Sequence, residues 1–415
     1  MTEQQYFIKD AILKHAVHHD SFQKLWETKW KAPCAMGIYP FMFGSIKDFQ
    51  PIVDAIIEKG LKEPYDWDEY AEMFFEPADD LMLMGINAEQ AGRLEEACEY
   101  LLRSSAVYRI ARFPAPRSGL QKFAWARCKN LFYQGARLME YPITEALIPH
   151  THRLSSEGKT IPVGFLFPPN ATPDTPCPLV MIMTGLDGYR TELAVWQRGW
   201  LDKGVATLVV EIPGTGDSPA DPKDPTSPDR QWSSVLDWIS QQTPIDPKKI
   251  IVWGFSTGGY YSLRIAHTHN ERLLGSVSLG GGCHHMFDRE WLSHVNHLEY
   301  PFDLADTLAY KFGYDNLEEF IKEAGKFSLV NDGTLDRECC RTLLVNGDRD
   351  EIFPIDDLYV ALSYGGPKLA RVVKDKKHMG EPDSFLVILK WIHGLLGLDG
   401  DVESQLRQLP TKCKY

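Results

Sequence analysis

The sequence predicts an α/β chain: a mostly parallel sheet covered by helices on both faces, a helical domain in front of it, and a helical, lid-like insertion late in the strand series. Three observations predict it. Short apolar runs rich in Val, Ile and Leu begin near residue 160 and recur as far as residue 373. Runs that are apolar at nearly every position are strands buried on both faces, as in parallel sheets. Helical segments alternate with them, the pattern of strand–helix–strand crossovers. Before about residue 140, by contrast, the spacing is helical throughout.

In chain order, residues 1–140 form the helical domain, with a capping or dimerisation role expected. Tyr6-Phe7, Ala11-Ile12-Leu13, Ala16-Val17, Phe22 and Leu25-Trp26 recur at three-and-four spacing. Pro33, Gly37 and Pro40 break that pattern, and Ile52-Val53 and Ile56-Ile57 resume it. Residues 87–103 predict two helices joined at Gly92, but no repeat at that period follows, which excludes a solenoid. For the many aromatic residues here (Trp26, Trp30, Tyr39, Phe41, Phe43, Trp67, Phe74, Phe75) the expected role is core packing. The alternative is a roof over a pocket.

Residues 141–399 form the sheet-bearing domain. Its strands are predicted at 161–167, 179–183, 205–210, 250–253, 274–279, 342–345 and 369–373, with helices over 192–203, 230–240 and 262–268 among them. Residues 283–340 are the insertion, helical near 291–295, 304–312 and 317–324, and 400–415 are a polar tail.

Composition narrows the partners. Lys+Arg 44 against Asp+Glu 57 leaves a net charge of −13, which attracts neither nucleic acid nor an anionic membrane surface. No apolar run approaches the ~18 residues of a membrane span. The polar start, Met1 to Tyr6, lacks a basic region followed by an apolar core, so no signal peptide is read and a cytoplasmic location is expected. The 8 cysteines are scattered without C-x-x-C spacing and read as mostly buried thiols. Asn170-Ala171-Thr172 matches a glycosylation sequon, read as coincidence in an unsecreted chain.

The chemistry begins at Gly254-Phe255-Ser256-Thr257-Gly258, a G-x-S-x-G between the apolar run Ile250–Trp253 and the helical Tyr260–Ala266. Strand, sharp turn and helix make this short pattern a nucleophile elbow. Alone it is weak, since a Gly-rich turn whose serine caps a helix looks the same. A nucleophilic serine needs a base, and the base needs an orienting carboxylate. Both follow in order. Leu343-Leu344-Val345 runs into Asn346-Gly347-Asp348-Arg349-Asp350, and Val372-Val373 runs into Lys374–His378. Ser…Asp…His is the order of the α/β-hydrolase fold. Gly347-x-x-Asp350-x-x-x-Pro354 favours Asp350 over Asp348 as the acid, because hydrolases of this fold usually carry it there, and leaves Asp348 a turn former whose side chain bonds local backbone.

The oxyanion donors expected are the Thr257 N–H and one from Thr184-Gly185-Leu186-Asp187-Gly188-Tyr189, where Leu186 or its neighbour is placed to donate. Gly214-Thr215-Gly216 lacks the dinucleotide fingerprint and reads as a structural glycine-pair loop. His284 and His285, after a strand end, are candidate substrate contacts, as is Tyr189; no third ligand accompanies the two histidines, so no metal site is read there.

Together these motifs resemble one branch of the α/β-hydrolases, the one holding FrsA-like esterases, 2,6-dihydropseudooxynicotine hydrolase and the fungal yellowish-green pigment hydrolases. The resemblance covers nearly the whole chain. It rests on Leu101–Arg109 in the helical domain, Thr184–Tyr189, and Gly254–Gly259, and is strongest toward the pigment enzymes. It implies cofactor-free hydrolysis of a carbon–carbon bond in a polyketide, on the way to a naphthalene precursor of melanin, and a homodimer. It also implies a substrate-orienting or acid/base role for Asp187, one methylene shorter than the glutamate of the nicotine-degrading relative. Against that role stands local turn stabilisation by the same side chain. An ordinary carboxylesterase or lactonase on the same fold is the alternative activity, and an interaction protein on a hydrolase scaffold is the non-enzymatic one.

Overall fold

The computed structural model describes residues 6–408. They fall into two compact units, one of residues 15–145 and one of residues 6–14 with 146–408.

The helical unit is built on α1 (Ile46–Lys59), α2 (Phe75–Gln90), α3 (Leu94–Ala111) and α4 (Gly119–Ala136). Ser45 caps α1 by accepting the Lys47 N–H, and Gly60, at φ 75°, ends it in a left-handed turn that a side chain would strain. Gly92, at φ 76°, turns α2 into α3. Two glycines let these helices touch: a Cβ on Gly85 would stand 2.9 Å from Leu101 Cγ, and one on Gly135 would stand 2.9 Å from Leu102 Cγ. The aromatic side chains pack on one another, Trp30 meeting Phe41 edge-on at 5.6 Å and Phe22 at 5.9 Å. That is the geometry of a core.

The other unit carries an eight-stranded sheet in the order β1-β2-β4-β3-β5-β6-β7-β8. The strands are β1 (Thr144–Pro149), β2 (Thr160–Leu166), β3 (Cys177–Met183), β4 (Ala206–Val210), β5 (Ile245–Phe255), β6 (Gly275–Leu279), β7 (Arg341–Gly347) and β8 (Leu369–Val373). Every pair from β4 to β8 is parallel, and β2 runs antiparallel to β4. The longer helices are α5 (Ser227–Ser240), α6 (Thr257–Thr268), α7 (Leu304–Lys311), α8 (Leu317–Glu323), α9 (Asp356–Leu362), α10 (Asp383–Leu396) and α11 (Val402–Gln408). This is the α/β-hydrolase fold. Arg264 of α6 anchors the insertion to it, holding Asp229 through two hydrogen bonds of 2.7 and 2.8 Å and Asp332 at 2.6 Å.

The structure corrects four readings. The strand β1 escaped detection because most of its residues are exposed and no apolar run marks it. The helix expected over 192–203 is two single turns, Arg190–Leu193 and Arg198–Leu201, joined by a 3-10 turn. At that break lies the fully buried Gln197, which donates to the Gly164 carbonyl and to Thr207 Oγ1. Residues 6–14 belong with the sheet, not the helical domain: the Tyr6 hydroxyl donates to Asp288 at 3.1 Å and the Phe7 N–H donates to Asp356. Finally, the expected polar tail includes α11, whose Val402 and Leu406 pack on the core while buried Gln405 bonds His393. The remainder of that tail, 409–415, and the start of the chain, 1–5, lie outside the described residues.

Two histidines at the end of α6, His267 buried and His269 half-buried, make stability depend on pH. Burial pushes both His267 and His269 down from 6.5 to about 4. The folded state then keeps both rings neutral where the unfolded chain would charge them. Stability is full above pH 6.5 and falls as the pH drops toward 4, at about 1.4 kcal/mol per pH unit for each ring at most. Thermal unfolding followed from pH 7 to pH 4 should show this slope, and His269→Gln should flatten it.

Candidate active site

Ser256 follows the last residue of β5 and precedes the first of α6, at φ 55° and ψ −121°. A serine does not adopt this backbone without strain, typically ~1–3 kcal/mol, and such strain gathers where a side chain must be presented. The neighbouring glycines make the turn feasible. A Cβ on Gly254 would come 2.1 Å from the Gly258 carbonyl oxygen, and one on Gly258 would come 2.3 Å from that of Thr184.

His378 Nε2 lies 2.8 Å from Ser256 Oγ, and His378 Nδ1 lies 2.8 Å from Asp350 Oδ2. Asp350 is wholly buried, and its other oxygen accepts the N–H groups of Ile352 and Phe353 at 2.6 and 3.1 Å. Asp348 takes no part: its N–H donates to the carbonyl of Val373 at the end of β8, and its Oδ1 meets no donor among the described residues, so the local side-chain turn expected of it is not what the structure shows. The Phe353 ring stands edge-on to the imidazole at 5.7 Å. Such a chain lets the imidazole take the serine proton while the carboxylate holds the ring's orientation and stabilises its charge.

Asn346, which the sequence reading passed over as a strand end, ties acid and base together. Its Nδ2 donates to Asp350 at 2.7 Å and its Oδ1 accepts the Met379 N–H at 2.9 Å. Two glycines make the approach of these loops possible: a Cβ on Gly347 would lie 2.0 Å from the Lys377 carbonyl oxygen, and one on Gly280 3.0 Å from His378 Cε1. A polar Asn-Gly closing an apolar strand was the available signal. Asn346→Ala should lower kcat roughly ten- to a hundredfold by loosening both loops, with KM little changed, in steady-state assays.

Thr257 opens α6, so its N–H has no acceptor within that helix. Gly185, just before Leu186, is close enough to Ser256 that an added Cβ would sit 3.4 Å from the serine Cβ. The two expected donors thus both lie beside the serine. The loop is fixed beyond them by Arg190, which donates to both Glu211 oxygens at 2.7 Å and to Asp217 at 2.7 Å, all within the fold's interior or edge. Burial, the largest influence, pushes the Glu211 carboxyl above its ordinary range despite the facing guanidinium. The Gly214–Gly216 loop serves this pair: Gly216, at φ 53°, leaves room where a Cβ would be 2.3 Å from Glu211 Cδ.

Asp187 is half-buried and accepts the Tyr300 hydroxyl at 2.9 Å, while Tyr189 is buried with its N–H bonded to Glu192. His284 and His285 engage other groups, Nδ1 of the first lying 2.7 Å from Ser328 Oγ and Nδ1 of the second 2.8 Å from Asp288.

The family described as Esterase FrsA-like matches residues 70–396, well over half the chain. The chain belongs to the FrsA-like family. Among relatives, Esterase FrsA of Photorhabdus laumondii is 28% identical over 286 residues, which cover 67% of this chain and 65% of that protein. Esterase FrsA of Serratia proteamaculans is 26% identical over 282 residues, 66% of this chain and 64% of that one. The match thus spans less than two thirds of these curated relatives' length. Among solved structures, the 2,6-dihydroxy-pseudo-oxynicotine hydrolase superposes with a TM-score of 0.65 at 21% identity, over 86% of this chain and 93% of that one. AbyA5 superposes with a TM-score of 0.67 at 20% identity, over 88% of this chain and 96% of that one. At such identities the superpositions speak for the shared fold. None of the described helices is long and apolar enough to cross a membrane.

Proposed function

We propose that this FrsA-like chain is a serine hydrolase in which Ser256 attacks a carbonyl, His378 carries the proton and Asp350 orients the imidazole. The single observation that carries this reading is the unbroken 2.8 Å–2.8 Å chain from a strained serine to a buried carboxylate. The N–H groups of Thr257 and Leu186 take the oxyanion in this mechanism. Collapse of the tetrahedral intermediate breaks the bond to the leaving group, which receives its proton from His378. Water, deprotonated by the same imidazole, then clears the acyl-serine.

The finer reading is cleavage of a carbon–carbon bond in a β-dicarbonyl or aromatic polyketide, as in the fungal pigment branch. The leaving carbanion is there delocalised as an enolate, so its expulsion is comparable to that of a poor alkoxide, and a plain Ser–His–Asp chain with no cofactor suffices. The second reading is an ester or lactone hydrolase, which the name shared by the FrsA relatives favours. Product analysis separates them. Purified protein given a naphthopyrone or a linear polyketide should release a short acid from the first reading, with the acyl group trapped on Ser256 visible by mass spectrometry. Turnover of simple acyl esters with polyketides untouched would leave the second.

A further inference from the structure

His378 stands in an irregular turn. Lys377 before it is extended, at φ −83° and ψ −158°, and Met379 after it is left-handed, at φ 65°. A residue other than glycine keeps that conformation only where its surroundings fix it. Here three consecutive residues are held by three different elements. The Met379 N–H donates to Asn346 at the end of β7 at 2.9 Å, and the His378 N–H donates to Glu299 of the insertion at 3.3 Å. The Lys377 ammonium donates to Glu351, in the loop that carries Asp350, at 3.0 Å.

The last of these contacts has a particular place in the chain. It joins the residue just before the base to the residue just after the acid. On the other side of Asp350 the same two loops meet through main chain, the Arg349 N–H donating to the Lys376 carbonyl at 2.9 Å. Acid and base are therefore each flanked, on both sides, by a residue tied toward the other.

Electrostatics agrees with the geometry. Burial, the largest influence, pulls the Lys377 ammonium down, but Glu299, Glu351 and Asp350 more than reverse it and hold it above its ordinary range. Lys377 is thus charged at neutral pH, and without it these carboxylates repel one another across the two loops. The other oxygen of Glu351 has a longer contact, 3.9 Å, to the Lys14 ammonium, whose side chain is 64% exposed. The Lys377 side chain is itself 45% exposed, so the pair adds little to the stability of the fold. Its consequence lies in placement, since a misplacement of about 1 Å at a reacting centre can cost roughly a hundredfold in rate.

We propose that Lys377 is a positioning residue for the base: its ammonium clasps Glu351 and so fixes where the His378 imidazole stands between Asp350 and Ser256. This rests on the serine-hydrolase reading and adds a residue to that same site.

The test uses the full chain and a fluorophosphonate carrying a fluorophore. Ser256 Oγ bonds its phosphorus, fluoride leaves and His378 takes the serine proton, so the labelling rate reads the base without a known substrate. Lys377→Met should lower kinact roughly tenfold with KI within about twofold, and Lys377→Arg should stay within about threefold of wild type. Glu351→Gln should lose as much as Lys377→Met, and the double variant no more than either, since both remove one interaction. Lys374→Met, at an exposed lysine of the same loop, should label as the wild type does. Wild-type kinact in Lys377→Met, an equal loss in Lys374→Met, or an arginine no better than methionine would each overturn the proposal. A wild type that fails to label would instead overturn the serine-hydrolase reading, and this proposal with it.

Discussion

Ser256→Ala is expected to lower kcat by ~10⁴-fold or more and to abolish labelling by a serine-directed fluorophosphonate. The size of the effect follows from what is removed. The imidazole at 2.8 Å loses the hydroxyl it would activate, so no acyl-enzyme forms and what remains is binding and oxyanion stabilisation. The fold should survive, since alanine at φ 55° is strained as serine is. Ser256→Gly makes the complementary point: it should be equally inactive yet unfold at higher temperature, by ~1 kcal/mol or more of relieved strain. Loss of labelling without loss of turnover would remove the nucleophile assignment altogether.

Asp350→Asn should cost nearly as much, ~10³–10⁴-fold in kcat. An amide at this position can present its NH₂ to His378 Nδ1 and so select the tautomer that cannot take the serine proton. It also weakens the acceptor for the Ile352 and Phe353 N–H groups and meets the Asn346 amide donor at 2.7 Å with a donor of its own. Asp348→Asn is the comparison, expected within about threefold of wild type, because Asp348 reaches neither His378 nor Ser256. Steady-state kinetics of the two variants side by side decides between the carboxylates; equal losses would reverse the assignment.

Much of the sheet was legible because parallel strands buried on both faces leave unbroken apolar runs, as at Leu179–Met183 and Ala206–Val210. The order of Ser256, Asp350 and His378 was legible too, Ser256 and Asp350 standing just past such a run and His378 beyond the Val372-Val373 that ends a mostly exposed strand. What escaped had no local pattern. The strand β1 is mostly exposed, and α11 shows only Val402 and Leu406 on an otherwise polar stretch. Residues 6–14 carry helical spacing yet are held by hydrogen bonds to Asp288 and Asp356, some 280 and 350 positions on. Asn346 acts through partners that only folding brings near, so its role is a property of the assembled chain.

The amide of Asn346 has a bearing on how the site could be regulated. Because one side chain grips the acid with its nitrogen and the base's loop with its oxygen, these two groups move as a single body. A displacement of either loop therefore strains the hold on the other, and a ligand that favours one arrangement changes the share of molecules in which acid and base stand ready together.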